Sequence, residues 1–261
     1  MKFIHKPFLL SQKIFTAYNA IRFQVMSILF LLFPVLAWDS GNETIDSYAE
    51  AKHLLYASIY ADHRITLYCA AQFDQHRAVK LPLGFIIAAH QDRAFRAETE
   101  HIVAAENFGR AFPEWREGAA QCLDSLGRTF KGRKCAETNK EFRLMEADLH
   151  NLAPAIGAVN AARRNYRFGL LPSETSAWGS CPMKISGRLV EPPDSAKGMV
   201  ARTHLYMAEA YPARFRLSQS QRRLFESWDR EFPPDAWECE REQRIHEIQG
   251  NTNDFTARQC R

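Results

Sequence analysis

The sequence predicts an α+β fold in a single domain. Three observations carry that prediction. Helix-like and strand-like patterns mix in the first half of the chain, the second half is mostly helical with recognisable caps, and no linker or internal repeat divides the two. The chain has 261 residues, 46% of them hydrophobic and 25% charged. That is enough for a sizeable core, and it excludes a disordered protein.

The elements follow in order. "SYAEAKHLLYASIYA", Ser47 to Ala61, has Ala51, Leu54, Leu55 and Ile59 on one helical face. "ITLYCAAQF", Ile65 to Phe73, is rich in strand formers, and "EHIVAA" from Glu100 reads as a second strand. Asp148 to Tyr166 reads as a short extended piece and then a helix, with Pro154 in its first turn. "DSAKGMVARTHLYMAEAY" follows Pro192-Pro193 and offers Val200, Leu205, Tyr206 and Met207 as a core face. Ser218 caps the next helix, which ends before Pro233-Pro234, and Asp235 caps a last one stopped by Gly250.

Residues 1–37 differ from the rest. They carry Lys2, Lys6, Lys13 and Arg22 with no acidic residue, then the apolar run Met26 to Ala37, and Val35 and Ala37 are small residues before a cleavage point. This reads as a secretory signal with a long basic lead, giving a mature chain from Trp38. The run is short for a membrane span, and a polar stretch follows it at once. Removing the leader takes four cations from the 34 Lys and Arg and leaves the 30 Asp and Glu, so the formal charge falls from +4 to zero. Overall charge is therefore no argument for nucleic-acid binding, which must rest on local patches.

All six cysteines, Cys69, Cys122, Cys135, Cys181, Cys239 and Cys260, lie in that mature chain, and none is in a CxxC pair. In an exported protein such a set reads as disulfides. Cys122 and Cys135 are closest in sequence and are expected to pair, enclosing Arg133.

Singly, Glu100-His101, His150 and Asn160 are ordinary polar residues: a surface charge beside a satisfied histidine, a structural histidine, a polar helix face. Their order is more informative. "EHIVAAENFG" is followed by "GRKC", "MEADLHNLAPAIGAVNAARRNYRF", "CPMKISGRLVEPPDSAKGMVARTHLYM" and "WECEREQRIHEIQGN". This succession closely resembles the bacterial endonuclease I family of exported nucleases, from about Tyr68 to the C-terminus. The most specific blocks are His150 to Asn165 and the stretch opening Val190-Glu191-Pro192-Pro193.

The resemblance implies a ββα-metal nuclease core, two strands and a helix around one divalent ion. It implies that His101 is the general base, that Glu100 and Asn160 are direct metal ligands, that Glu146 reaches a water on the ion and helps protonate the leaving oxygen, and that Arg133 holds the cleaved phosphate. The chemistry of the residues agrees. Imidazole titrates near neutrality and takes a proton from water. A carboxylate with an amide carbonyl suits Mg2+, which keeps several waters, and arginine's fork matches phosphate oxygens. Adjacent strand residues point to opposite faces, so Glu100 and His101 are expected where the strand ends or distorts, both turned toward the metal helix.

The chain departs from the family pattern at Ala104, where proline is usual, and in its cysteines, since the family commonly has eight. The missing two fall at Ala71 and Leu83, absent together as partners would be. Basic clusters at Arg128 to Lys134 and Ala162 to Arg167 flank the proposed site and fit phosphate contacts, whereas Arg214 to Arg223 reads as a solvated face. With no module for reading base edges, the expected activity is sequence-non-specific, magnesium-dependent endonuclease cleavage of DNA, with RNA as a further substrate, leaving 5′-phosphate ends. A periplasmic or secreted monomer, free of the membrane once processed, is expected. Two other readings stand beside it: an exported nucleic-acid-binding protein without catalysis, and a zinc hydrolase using His101, His150 and a thiolate.

Overall fold

The computed structural model describes Met1 and residues 41–260, so the expected leader lies outside the described residues. Helix α1 (Tyr48–Leu54) starts at Ser47, whose hydroxyl accepts the Glu50 N–H, and continues as a π-helical turn, Leu55–Ile59. Ala51, Leu55 and Ile59 form its buried stripe, as their spacing of four dictates.

The segment expected as a strand from Ile65 instead folds back on itself. Ala70 has φ +48°, the Thr66 N–H donates to Ala71 O at 2.9 Å, and the Ala71 N–H donates to the Thr66 hydroxyl at 3.0 Å. Only β1 (Gln72–Phe73) is regular, paired antiparallel with β2 (Val79–Lys80). The strand formers serve another end, since Tyr68 is buried and Cys69 is bonded to Cys181.

β3 (Ala97–His101) pairs antiparallel with β4 (Leu152–Ile156) in unbroken register, Glu100 opposite Ala153 and His101 opposite Leu152. The apolar run after His101, expected to extend the strand, turns away: the Ile102 N–H donates to Asn151 O at 3.0 Å and the Val103 N–H to Asn151 Oδ1 at 2.7 Å. Ala104 then leads into α2 (Ala105–Gly109). Three short helices follow, α3 (Pro113–Arg116), α4 (Arg133–Ala136) and α5 (Lys140–Glu146).

Pro154 lies in β4 and not in a helix. Its carbonyl accepts from the Leu67 N–H at 2.8 Å on the side away from β3, so at this position no N–H toward β3 is required and proline costs the ladder nothing. The helix begins three residues later, as α6 (Gly157–Arg163). A small sheet follows, with β5 (Arg167–Phe168) parallel to β7 (Leu189–Glu191) and β6 (Lys184–Ser186) antiparallel to β7.

The last four elements are α7 (Asp194–Ala210), α8 (Gln219–Glu231), α9 (Ala236–Gln249) and α10 (Asp254–Ala257). The expected caps are present: a capping box at Ser218, Asp235 accepting the Glu238 N–H, and Gly250 in the left-handed conformation. α7 is buried on every side from Ala196 to Ala208, more than the one core face its sequence suggests. The architecture is α+β, with small sheets beside a helical half.

The helical half braces the β3–β4 hairpin. Arg241 of α9 donates to the Leu149 and Leu152 carbonyls, each at 2.8 Å. Buried Arg202 of α7 ties α8 and α9 through Asp229 at 3.2 Å and Glu238 at 2.7 Å. Three disulfides, Cys69–Cys181, Cys122–Cys135 and Cys239–Cys260, use all six cysteines. Cys122–Cys135 is the expected pair, and it pins α4 two residues beyond Arg133. In Cys122→Ala/Cys135→Ala, chemical denaturation is expected to show a loss of about 3 kcal/mol or less, the value for a loop of this length. Unchanged stability would show that the α4 segment is held without its bond.

Candidate active site

A cavity of about 540 Å³ runs along the free edge of β3, bounded by Thr99, Glu100 and His101, by Asn160 and Arg163 of α6, and by Arg133 of α4. This position explains how neighbours on one strand reach one site. β3 pairs only with β4 over these residues, so its other edge is open and accessible from both faces. Glu98 and Glu100 point toward α6, while Thr99 and His101 point toward α1 and α5. The strand ends where expected, but the pairing is regular through both residues, and only Glu100 is turned toward the helix that carries Asn160.

Glu100 is buried, and its Oε1 accepts from the Tyr68 hydroxyl at 2.7 Å and lies 3.2 Å from Arg163 Nη1. Burial pushes its carboxyl up, and the Arg163 charge opposes that shift. Burial also holds the Tyr68 hydroxyl well above the ordinary phenol range, so it stays protonated and donates. Arg163 does more than neutralise: Nη1 donates to the His101 carbonyl at 2.8 Å and Nη2 to the Ile102 carbonyl at 2.5 Å.

His101 Nε2 lies 2.8 Å from the backbone carbonyl of Glu146. A carbonyl only accepts, so Nε2 carries the proton and Nδ1 presents a lone pair. Burial, with the Arg133 charge adding to it, lowers His101 to about 3 and keeps the ring neutral. Tyr48 packs against it with ring centres 4.9 Å apart.

Asn160 Nδ2 donates to Glu98 Oε2 at 3.3 Å, which fixes the amide so that Oδ1 is the free end. Glu98 is held in turn by the Arg93 guanidinium. Gly157 makes room for this arrangement: a Cβ there would lie 2.6 Å from the Arg93 carbonyl oxygen and 2.8 Å from the Glu98 carboxyl carbon.

Arg133 and Glu146 form an ion pair with Glu146 buried behind Arg133. Burial raises the Glu146 carboxyl, and Arg133 opposes the shift. The guanidinium lies over the Tyr48 ring at 4.6 Å, and its Nη2 is buried with no hydrogen-bond partner.

Four of the five residues singled out in the sequence, Glu100, His101, Arg133 and Asn160, thus line one cavity, and Glu146 stands immediately behind it. Glu100 Oε2 and Asn160 Oδ1 have no hydrogen bond from the described residues. Two oxygens on the wall of one cavity fit a hard divalent ion that retains waters. They do not fit tetrahedral zinc, and with every cysteine in a disulfide there is no thiolate to complete the zinc reading. His150 lies elsewhere, fully buried against Tyr206, Glu242 and Asn251.

Residues 47–260 match the sequence profile of the family Endonuclease I. The chain is 37% identical over 225 residues to an extracellular deoxyribonuclease of Aeromonas hydrophila, covering 84% of this chain and 91% of that protein. It is 40% identical over 209 residues to a periplasmic deoxyribonuclease of Aeromonas hydrophila, covering 77% and 82%. An Endonuclease-1 of Buchnera aphidicola is 36% identical over 225 residues, covering 84% of each chain. The chain belongs to the endonuclease I family. It is a nuclease.

Reading the sequence missed Arg163, Tyr68, Tyr48 and Glu98. Arg163 falls in the Ala162 to Arg167 cluster expected to contact phosphates, yet it is only 1% exposed. Its position three residues after Asn160 places both on one helical face, a signal present in the sequence. Glu98 was legible in the same way, two residues before Glu100 and so on the same strand face. Tyr68 and Tyr48 come from distant segments and carry no such mark. Arg163→Ala is expected to cost about 3–5 kcal/mol in urea unfolding, because Glu100 is left buried without its counter-charge. A loss below about 1 kcal/mol would mean the clasp is not structural.

Proposed function

We propose that this chain is an exported, magnesium-dependent, sequence-non-specific endonuclease of DNA, with RNA as a further substrate, built on a ββα-metal core formed by β3, β4 and α6. The observation that supports this most is the convergence at one strand edge of a neutral imidazole with a free Nδ1, two uncommitted oxygens and an arginine on the cavity wall. The names of the relatives, extracellular and periplasmic deoxyribonucleases, point to the same substrate and compartment.

In this reading His101 Nδ1 takes a proton from water as its oxygen bonds to phosphorus. The bond from phosphorus to the 3′ oxygen breaks, leaving a 5′-phosphate and a 3′-hydroxyl. Glu100 and Asn160 hold the divalent ion, which supplies charge neutralisation at the phosphate when bound. Glu100 is kept in place by Tyr68 and Arg163, and Asn160 by Glu98. Arg133, on the wall of the cavity, holds the cleaved phosphate with its guanidinium, and Glu146, its carboxyl raised by burial, returns a proton to the leaving oxygen through a water. The Glu146 carbonyl keeps the His101 ring in the tautomer that accepts at Nδ1.

Plasmid cleavage tests the assignment. His101→Ala is expected to slow turnover by about two to four orders of magnitude while DNA binding in chelator is kept. Near-normal cleavage would refute the base, and a parent protein that binds plasmid without cutting it at any magnesium concentration would make this a binding protein. Glu100→Ala and Asn160→Ala should each raise the magnesium concentration required, and unchanged titrations for both would refute the ligand pair. The leader is proposed to end at Ala37: mass spectrometry of the exported protein should give a chain from Trp38, and an intact Met26 to Ala37 segment would contradict it.

A further inference from the structure

Beyond the cleavage site lies a second, larger cavity of about 880 Å³, which shares Glu106 and Asn165 with the first. Five arginines line it. Two are neutralised, Arg110 by Glu106 and Arg214 by Glu141. Arg167, Arg188 and Arg216 are exposed and have no ion pair among the described residues.

The fold forces two of the three together. Arg167 opens β5, and its N–H donates to the Arg188 carbonyl at 3.2 Å, just before β7. Like charges on neighbouring strands are unfavourable unless something negative lies between or over them. Arg216 closes the cavity from the segment before α8. Between the two cavities, Arg164 has φ +53°, which turns the chain sharply at the end of α6. Its guanidinium stands 6.0 Å over the Tyr166 ring, Arg164 on the wall of the first cavity and Tyr166 on that of the second. The two cavities thus adjoin at Glu106, Asn165 and the Arg164–Tyr166 pair.

We propose that this arginine cleft binds the single strand of nucleic acid that continues from the phosphate being cleaved, with its phosphates on Arg167, Arg188 and Arg216 and a base against Tyr166. The inference rests on the nuclease reading for the identity of the strand. Charged guanidinium groups paired with phosphates and an aromatic platform for a base are the two elements of sequence-tolerant strand binding. Arg216 belongs to a cluster that the sequence suggested was merely solvated, and the cleft gives it a partner.

Fluorescence anisotropy of a labelled single-stranded oligonucleotide of about 12 nucleotides, in chelator so that none is cut, reads the cleft directly. Arg167→Ala/Arg188→Ala/Arg216→Ala is expected to weaken binding by about tenfold or more. The slope of log affinity against log salt should fall by about two units, since three phosphate contacts on a single strand release counterions at about 0.7 each. A control with equal charge loss, Lys80→Ala/Lys140→Ala/Arg230→Ala, should keep the parent affinity, and the parent melting temperature in both variants verifies folding. Parental affinity and slope in the cleft variant, or an equal loss in the control, would overturn the proposal. Plasmid cleavage by the parent is scored separately, so failure of the nuclease reading is distinguishable from failure of the cleft.

Discussion

The arrangement depends on one buried cation. Arg163 sits at the end of β3, where the chain must leave its partner strand and turn into α2. Two carbonyls, of His101 and Ile102, would otherwise be left buried at that turn, and the fork of Arg163 accepts neither but donates to both. The same guanidinium lies 3.2 Å from Glu100 and 4.7 Å over the Phe168 ring. Lysine would keep the charge but not the planar fork that meets two carbonyls and a carboxylate at once. Burying a carboxylate costs several kcal/mol unless it is paired and hydrogen-bonded, and Arg163 with Tyr68 meets both conditions while leaving one oxygen of Glu100 uncommitted.

Around that cation the supports are nested. Glu98 orients Asn160, Arg93 orients Glu98, and Gly157 leaves the space for both. The Glu146 carbonyl orients His101 while its carboxylate holds Arg133. Farther out, Asp148 accepts from the Tyr206 and Tyr211 hydroxyls, each at 2.7 Å, and from Gln249 at 2.9 Å. With Arg241, these bonds fix the lead-in to β4 against the helical half. A functional group must be held to a fraction of an ångström for its chemistry to be efficient, and here each group is fixed by a second residue from a different element.

Much of this was legible in the sequence. The helical caps at Ser218, Asp235 and Gly250 are local chemistry, and they appear where the residues put them. The convergence of Glu100, His101, Arg133 and Asn160 was implied by the order of motifs. What failed was tertiary. Ile65 to Phe73 has strand composition but spends its side chains on a disulfide and a contact to Glu100. Pro154 reads as a helix start because proline lacks an N–H, and the same lack is tolerated in β4, where position 154 needs no donor toward β3. Arg163 read as one of a cluster of phosphate-contacting cations, because its spacing from Asn160 gives the helical face it shares but not its burial. The adjacency of Glu100 and His101 suggested a strand that ends or distorts there with both residues turned toward the metal helix; the strand does end at His101, but only Glu100 faces that helix.

The central claim is that Glu100 and Asn160 offer their free oxygens to one divalent ion at the edge of β3. Anomalous scattering from crystals soaked in Mn2+ locates such an ion without reference to activity. The account predicts a single strong peak within bonding distance of Glu100 Oε2 and Asn160 Oδ1, lost in Asn160→Ala crystals. A peak bound elsewhere, or none at this edge at saturating Mn2+, would contradict it.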